Sequence, residues 1–133
     1  MNEPETGPTP EGRLTLQLPA TRNDTNVFGD IYGGWLSSQI VTAAETRAAQ
    51  VACGRISTVS IGAIDFISPV LVGTLLSFYT QIRDTGHSSI TITVEVWGQC
   101  SDGTSFRKIT ETETVQVAID SQGRIRQLPV NAG

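Results

Sequence analysis

Apolar and polar residues alternate along most of this chain, and that alternation is interrupted once by a different period. Between Arg13 and Leu18, the residues Leu14, Leu16 and Leu18 fall on one side, which predicts a short first strand closed by Pro19. The polar run from Thr21 to Asn26 predicts a loop. From Gly34 to Cys53 the spacing changes to three and four, with Leu36, Ile40, Ala43, Ala44, Ala48, Val51 and Ala52 on one stripe. That stripe predicts a helix of about 30 Å, with Gly54 placed to end it. Its alanines let a backbone come close to a sheet, which suits a central helix.

Period two then returns. Ile56 to Phe66 is rich in strand formers, and Ser68-Pro69 breaks the run. Thr74 to Arg83 carries Leu76, Phe78 and Ile82 on one face, and Asp84-Thr85-Gly86-His87 predicts a turn. Ser89 to Trp97 sets Ile90, Ile92, Val94 and Val96 against Ser89, Thr91, Thr93 and Glu95. Ser101-Asp102-Gly103 predicts another turn, Ile109 to Ile119 the last strand, and Asp120 to Gly123 a closing turn. The plan is α+β: one long central helix and an antiparallel sheet of about five strands, apolar on one face and polar on the other, curled around it. Such a sheet has open edges, and a second subunit is a common cover for one of them. Residues 1–12 read as a disordered leader, 13–129 as a single domain and 130–133 as a flexible tail.

Composition narrows the function. A chain of 133 residues supports one core, and a net charge of −4 disfavours general nucleic-acid binding, which needs clustered lysine and arginine. No run approaches the roughly 20 apolar residues of a membrane span, and the acidic, proline-rich start is unlike a signal peptide. A cytoplasmic location, with neither membrane nor nucleic-acid partner, is the expectation. Cys53 and Cys100 are far apart and read as unbridged structural thiols. His87 is the only histidine, so no histidine-rich metal site is expected.

The richest chemistry lies in Gly29-Asp30-Ile31-Tyr32-Gly33-Gly34-Trp35. It places one carboxylate just ahead of two glycines at the start of the helix, where backbone N–H groups lack partners and an anion is favoured. Asp30 there is either a helix-starting residue, the commoner case for an isolated Asp, or an acid–base group beside an oxyanion site.

With the surrounding residues included, the chain resembles the YciA-like acyl-CoA thioesterases of the hotdog-fold superfamily. The resemblance begins at Asp24-Thr25-Asn26 and Gly29 to Trp35, and continues through Gly54-Arg55, Thr58-Val59, Phe66 and Pro69-Val70. It runs on through Gly73, Ser89, Glu95-Val96-Trp97, Thr110-Glu111, Val117-Ala118 and Asp120, so that it spans Leu14 to Pro129. It implies a hotdog fold, in which a curved antiparallel sheet wraps a helix, and homodimers that assemble further into tetramers or hexamers. It also implies hydrolysis of acyl-CoA at the dimer interface, with CoA as part of the substrate and no separate cofactor.

Residue by residue, the resemblance implies that Asp30 is the catalytic carboxylate, acting as general base or nucleophile, and that Thr58 faces it from the neighbouring subunit. Gly33 or Gly34 is the expected oxyanion donor. Asn23 and Asn26 are candidates to orient water or thioester, or are simply loop formers. Arg55, Arg83 and the turn residues His87, Ser88 and Ser89 are candidates for the CoA phosphates, each balanced by an ordinary surface role. Glu45 reads as a solvated or paired carboxylate, Trp35 and Trp97 as packing residues, and Arg107, Lys108, Arg124 and Arg126 as a solvated or contact face. Two positions depart from the family: Phe28 where asparagine is common, and Ser68 where arginine is common. They keep open a non-catalytic acyl-CoA-binding protein as an alternative. A hotdog hydratase or dehydratase fits less well, because those enzymes pair a loop histidine with an acid and no histidine lies near Asp30.

Overall fold

The computed structural model describes residues 9–66 and 69–130. Most of the expected leader (residues 1–8), Ser68 and the end of the expected tail (131–133) lie outside them. The elements are β1 (Arg13–Pro19), α1 (Gly33–Ala52), β2 (Ile56–Ile61), β3 (Leu75–Thr85), β4 (Ser89–Gln99) and β5 (Phe106–Ala118), with a 3-10 turn at Arg22–Asp24. The five strands form one sheet in the order β1-β3-β4-β5-β2, antiparallel at every pairing. The helix touches all five strands, so the sheet wraps it as expected.

Packing follows from the two periods. Leu36, Ile40, Ala43, Ala44, Ala48 and Ala52 are the buried face of α1. They meet Leu76 and Phe78 of β3 and Ile90, Ile92, Val94 and Val96 of β4 in the core. Each of the larger of these side chains contributes about 1.5–3 kcal/mol by leaving water. At its C-terminal end the helix closes on Cys53, which takes the left-handed conformation (φ 53°). The N–H groups of Cys53 and Gly54 both point to the carbonyl of Ala49.

Several expected boundaries move. The strand expected through Phe66 stops at Ile61, because the chain leaves the ladder at Gly62, whose N–H makes a last bond to Glu113 O at 2.8 Å. Residues 62–66 continue without strand pairing, held in part by Thr110 Oγ1 donating to Asp65 O at 2.9 Å. In the opposite sense, β3 runs through Asp84 and Thr85, both assigned to a turn from sequence. The bend is tighter, with Gly86 N–H bonded to Ser89 O at 2.8 Å. Both cysteines are free and exposed, so neither is a structural core thiol.

The two faces of the sheet also differ from the simple apolar/polar expectation. On the outer face, Thr93, Glu95 and Trp97 are buried rather than solvated. Trp97 stacks on Phe106 and donates from Nε1 to Glu95 Oε1 at 2.9 Å, while Lys108 Nζ lies 4.0 Å from Glu95 Oε2 and also bonds Glu111. On the helix-facing side, β5 presents Thr110, Thr112, Thr114 and Gln116, all buried, opposite the aliphatic residues of β4. A buried hydroxyl without a partner costs about 1–3 kcal/mol, so these four positions need hydrogen bonds that aliphatic residues would not.

Candidate active site

The segment before α1 is a closed loop. Asn26 organises it: its Oδ1 accepts the N–H of Phe28 at 2.9 Å and of Asp30 at 3.2 Å, and its own N–H donates to Asp30 O at 2.8 Å. Gly29 allows the turn by adopting a φ of 83°. Tyr32 N–H donates to Asp24 O at 2.9 Å, and Thr25 and Ile31 face each other as an isolated bridge. Asp30 is thus held half-buried, two residues ahead of the helix N-cap, which is Tyr32. It is not itself a capping residue, and among the described residues no side chain caps the N-terminus of this helix.

Without a cap, the first helical N–H groups are left over. Trp35 and Leu36 donate to Tyr32 O at 3.1 and 3.2 Å. Among the described residues, the N–H groups of Gly33 and Gly34 have no acceptor. Both glycines are walled by aromatic rings. A Cβ on Gly33 would lie 3.3 Å from the Phe66 ring, and one on Gly34 would lie 2.8 Å from the Tyr32 hydroxyl. Beside them, Thr25, Asn26, Val27 and Tyr32 border an open cavity of about 490 Å³. Val27 and Phe28 are 93% and 82% exposed, an unusual display of apolar surface next to a carboxylate. Asn23 belongs to the preceding 3-10 turn, where its N–H is capped by Thr21 Oγ1 at 3.3 Å.

Thr58 is elsewhere in the same chain. Its hydroxyl lies 2.7 Å from Glu45 Oε2 and 2.7 Å from Gln116 Oε1. Glu45 is twelve residues along α1 from Gly33, or about 18 Å of helix. Asp30 and Thr58 therefore sit at separate stations along the helix of one subunit. Sequence periodicity placed Glu45 off the apolar stripe; its pairing with Thr58, and the buried Gln116 behind them, were not legible there. The signal that would have found Gln116 is a polar residue in register with Ile90 on the helix-facing side of the sheet.

The basic and turn candidates other than Arg83, which lies on the outer face of the sheet with Gln81, Glu95 and Lys108, gather at the opposite end of α1 from Asp30. Arg55 donates from Nη1 to Asp120 O and Ser121 O, each at 3.0 Å. Arg126, read from sequence as part of a solvated or contact face, is half-buried and caps the helix, with Nη2 3.0 Å from Ala52 O. His87 is exposed and accepts the Leu128 N–H at 2.9 Å through its carbonyl; Ser88 O accepts the N–H of Ala118. Ser89 opens β4. Arg83 is exposed and bonds Gln81 Oε1 at 3.1 Å. None of these shares a cavity with Asp30 within one chain. Among the described residues, no three His, Cys, Asp or Glu side chains are grouped to hold a metal ion. No described helix is long and apolar enough to cross a membrane.

A fold of this kind with a carboxylate ahead of a glycine-opened helix defines a class, and comparison with known proteins identifies it. The thioesterase superfamily model matches residues 28–101. The acyl-CoA thioester hydrolase YciA of Salmonella typhimurium is 40% identical over 125 residues, covering 92% of this chain and 94% of that protein. The hexameric thioesterase y2039 from Yersinia pestis superposes with a TM-score of 0.88 at 41% identity, over 92% of this chain and 100% of that one. The hexameric hotdog-fold thioesterase Cj0915 of Campylobacter jejuni gives a TM-score of 0.82 at 30% identity, over 89% and 91% of the two chains. This chain belongs to the thioesterase superfamily, and its fold is the hotdog fold.

Proposed function

We propose that this chain hydrolyses acyl-CoA thioesters to a free carboxylic acid and CoA, with Asp30 as general base. The observation that carries this is the placement of the half-buried Asp30 beside the unpartnered N–H groups of Gly33 and Gly34. Asp30 takes a proton from water as the water oxygen attacks the thioester carbon. The carbonyl oxygen becomes an oxyanion, bound by the Gly33 or Gly34 N–H. Collapse of the tetrahedral adduct breaks the C–S bond and releases CoA as the thiolate. This chemistry uses no cofactor beyond the CoA already in the substrate.

A second copy completes the site. Thr58 is about 18 Å along the helix from the Asp30 end of its own subunit, and β2 carries Val59 and Ile61, 60% and 49% exposed, on an open edge. Two-fold pairing along β2 would cover that edge and carry the partner's Thr58–Glu45 pair toward Asp30. The hexameric state of the relatives supports assembly beyond a dimer. The same pairing would bring Arg55, His87, Ser88 and Ser89 from the far end of one subunit, and Arg83 from its outer sheet face, within reach of CoA bound at the other. Phe28, exposed next to Val27 of that cavity, is assigned to the acyl side, and Asn26 holds the loop that carries Asp30. A cytoplasmic location is part of the same proposal.

The test is thiol release from a panel of short, medium and aromatic acyl-CoAs by wild type and Asp30→Asn. Release by the wild type that falls by about 10²–10⁴-fold in the variant is expected. Tight acyl-CoA binding without release by the wild type would sink the proposal and leave a binding protein.

A further inference from the structure

One face of the sheet is covered by α1, and no described helix covers the other. Yet the centre of that outer face is closed: Ser77, Thr93, Glu95 and Trp97 are all buried there. Gln17 Nε2 donates to Ser77 Oγ at 2.8 Å. Glu95, the one charged residue of the four, accepts from Trp97 Nε1 and from the N–H of Glu11, with Lys108 Nζ 4.0 Å away. Around them Tyr79, Thr91, Val115 and Val117 are half-buried and uncharged.

Charge stands to either side of this centre. Arg83 lies at the bulge of β3, between Ile82 and Asp84, and shares a groove of about 510 Å³ with Gln81, Thr93, Lys108 and Glu111. Thr93 pairs with Gln81 on one side and with Glu113 on the other. Arg83 and Glu113 therefore lie on opposite sides of β4, on strands about 10 Å apart. Asp84, paired with Thr91, lies nearer the turn. Among the described residues, neither Arg83 nor Glu113 is in an ion pair. The groove is walled by polar groups of both charges, unlike the mainly apolar pockets that take small molecules. An uncharged centre holding a tyrosine and a tryptophan, inside a charged margin, is the make-up of a protein interface.

We infer that this face is the contact between dimers, packed against the same face of a second copy about a two-fold axis that runs along β4. The inference rests on the assembly beyond a dimer proposed above, and names its surface. Pairing along β2 is isologous and is used up by two copies, so growth past the dimer needs another patch. Rotation about the axis keeps each residue's level along the strands and exchanges β3 with β5. Arg83 thus meets the partner's Glu113, and each such contact makes that pair twice. Sheets packed face to face lie about 10 Å apart, a gap that two long side chains span. The guanidinium has five N–H donors, so the pair leaves some for the CoA phosphate assigned to Arg83 above.

The experiment follows mass against chain concentration, by light scattering, for wild type, Arg83→Glu, Glu113→Arg, the double swap and Thr91→Arg. The wild type is expected to be larger than a dimer. Each single reversal sets like charges opposite one another, and is expected to raise the concentration of half-assembly by about tenfold or more while leaving dimers. Thr91→Arg, which puts a charge at the uncharged centre, is expected to do the same. The double swap is expected to return to the wild-type curve. A dimeric wild type, single variants on the wild-type curve, or a double swap that stays dimeric overturns the inference. Thiol release from the panel above is read alongside. Release by a dimeric wild type leaves the hydrolase standing, and no release overturns the hydrolase whatever the mass.

Discussion

Thr58 on β2 and Glu45 on α1 are joined by a 2.7 Å hydrogen bond that ties the open edge strand to the helix it wraps. The same hydroxyl faces Gln116 Oε1 at 2.7 Å, and Gln116 is fully buried. One proton serves two acceptors, so the three residues act as a unit. Thr58→Val removes the hydroxyl from both and leaves the Gln116 amide oxygen without a donor. The expected loss is about 1–3 kcal/mol, read from the denaturant midpoint. Thr58→Ser keeps the hydroxyl and is expected to recover most of it; destabilisation by Thr58→Ser with Thr58→Val left stable would show that the methyl group matters instead.

Tyr32 and Gly34 make a second coupled pair. A Cβ on Gly34 would meet the far end of the Tyr32 ring at 2.8 Å, an atom that a flexible side chain can move. Alanine is also the better helix former by about 1 kcal/mol, so Gly34→Ala is expected to fold at near wild-type stability. Its kcat is expected to fall by about tenfold as the displaced ring and new methyl crowd the free N–H. A double-mutant cycle on kcat/KM with Tyr32→Ala is expected to be non-additive. Simple additivity would separate the ring from the oxyanion site.

Arg126 acts at the other end of α1. Its Nη2 reaches Ala52 O at 3.0 Å and Arg55 O at 3.3 Å, and its Nε donates to Ile119 O at 2.9 Å. A cation here complements the negative end of the helix. Arg126→Ala is expected to lower stability by about 2 kcal/mol, measured by chemical denaturation. The kcat on the best substrate of the panel is the control, and it should stay near wild type because Arg126 bonds only backbone carbonyls of its own chain.

Asp120 provides an acid-dependent contribution to stability. Its carboxylate accepts the N–H of Arg124 at 2.9 Å and of Gln122 at 2.8 Å, and these bonds, Arg124 first, hold its pKa below the usual carboxylate value. A depressed folded-state pKa means that the stabilisation is present above the unfolded value of about 3.9 and is lost as pH falls through the lower folded value. Asp120→Asn is therefore expected to lose stability near neutral pH and to show a shallower decline below about pH 4. Parallel pH–stability curves for the two proteins would contradict this.

Much of this architecture was legible along the chain because it depends on local period. The switch from period two to 3.6 and back marks α1 and the strands around it, and Gly29 to Trp35 marks where the helix begins. The limits of β2 and β3 were misplaced because ladder pairing, not propensity, ends a strand. Ile64 and Phe66 are good strand formers, yet Gly62 makes the last bond to β5. Ser89 O reaches Gly86 N–H, so Asp84 and Thr85 stay in β3 despite turn-like chemistry.

The sequence by itself determined that one carboxylate precedes two glycines at the start of a long alanine-rich helix, and that a sheet must cover it. Those are consequences of spacing within a few residues. Only the tertiary structure decided that no side chain caps the start of that helix and that Thr58 pairs with Glu45 and Gln116. It alone, too, set Arg83 and Glu113 on opposite sides of β4. Each of these depends on which residues a sheet register and a helix approach bring opposite one another, and residues dozens of positions apart carry no local mark of that meeting.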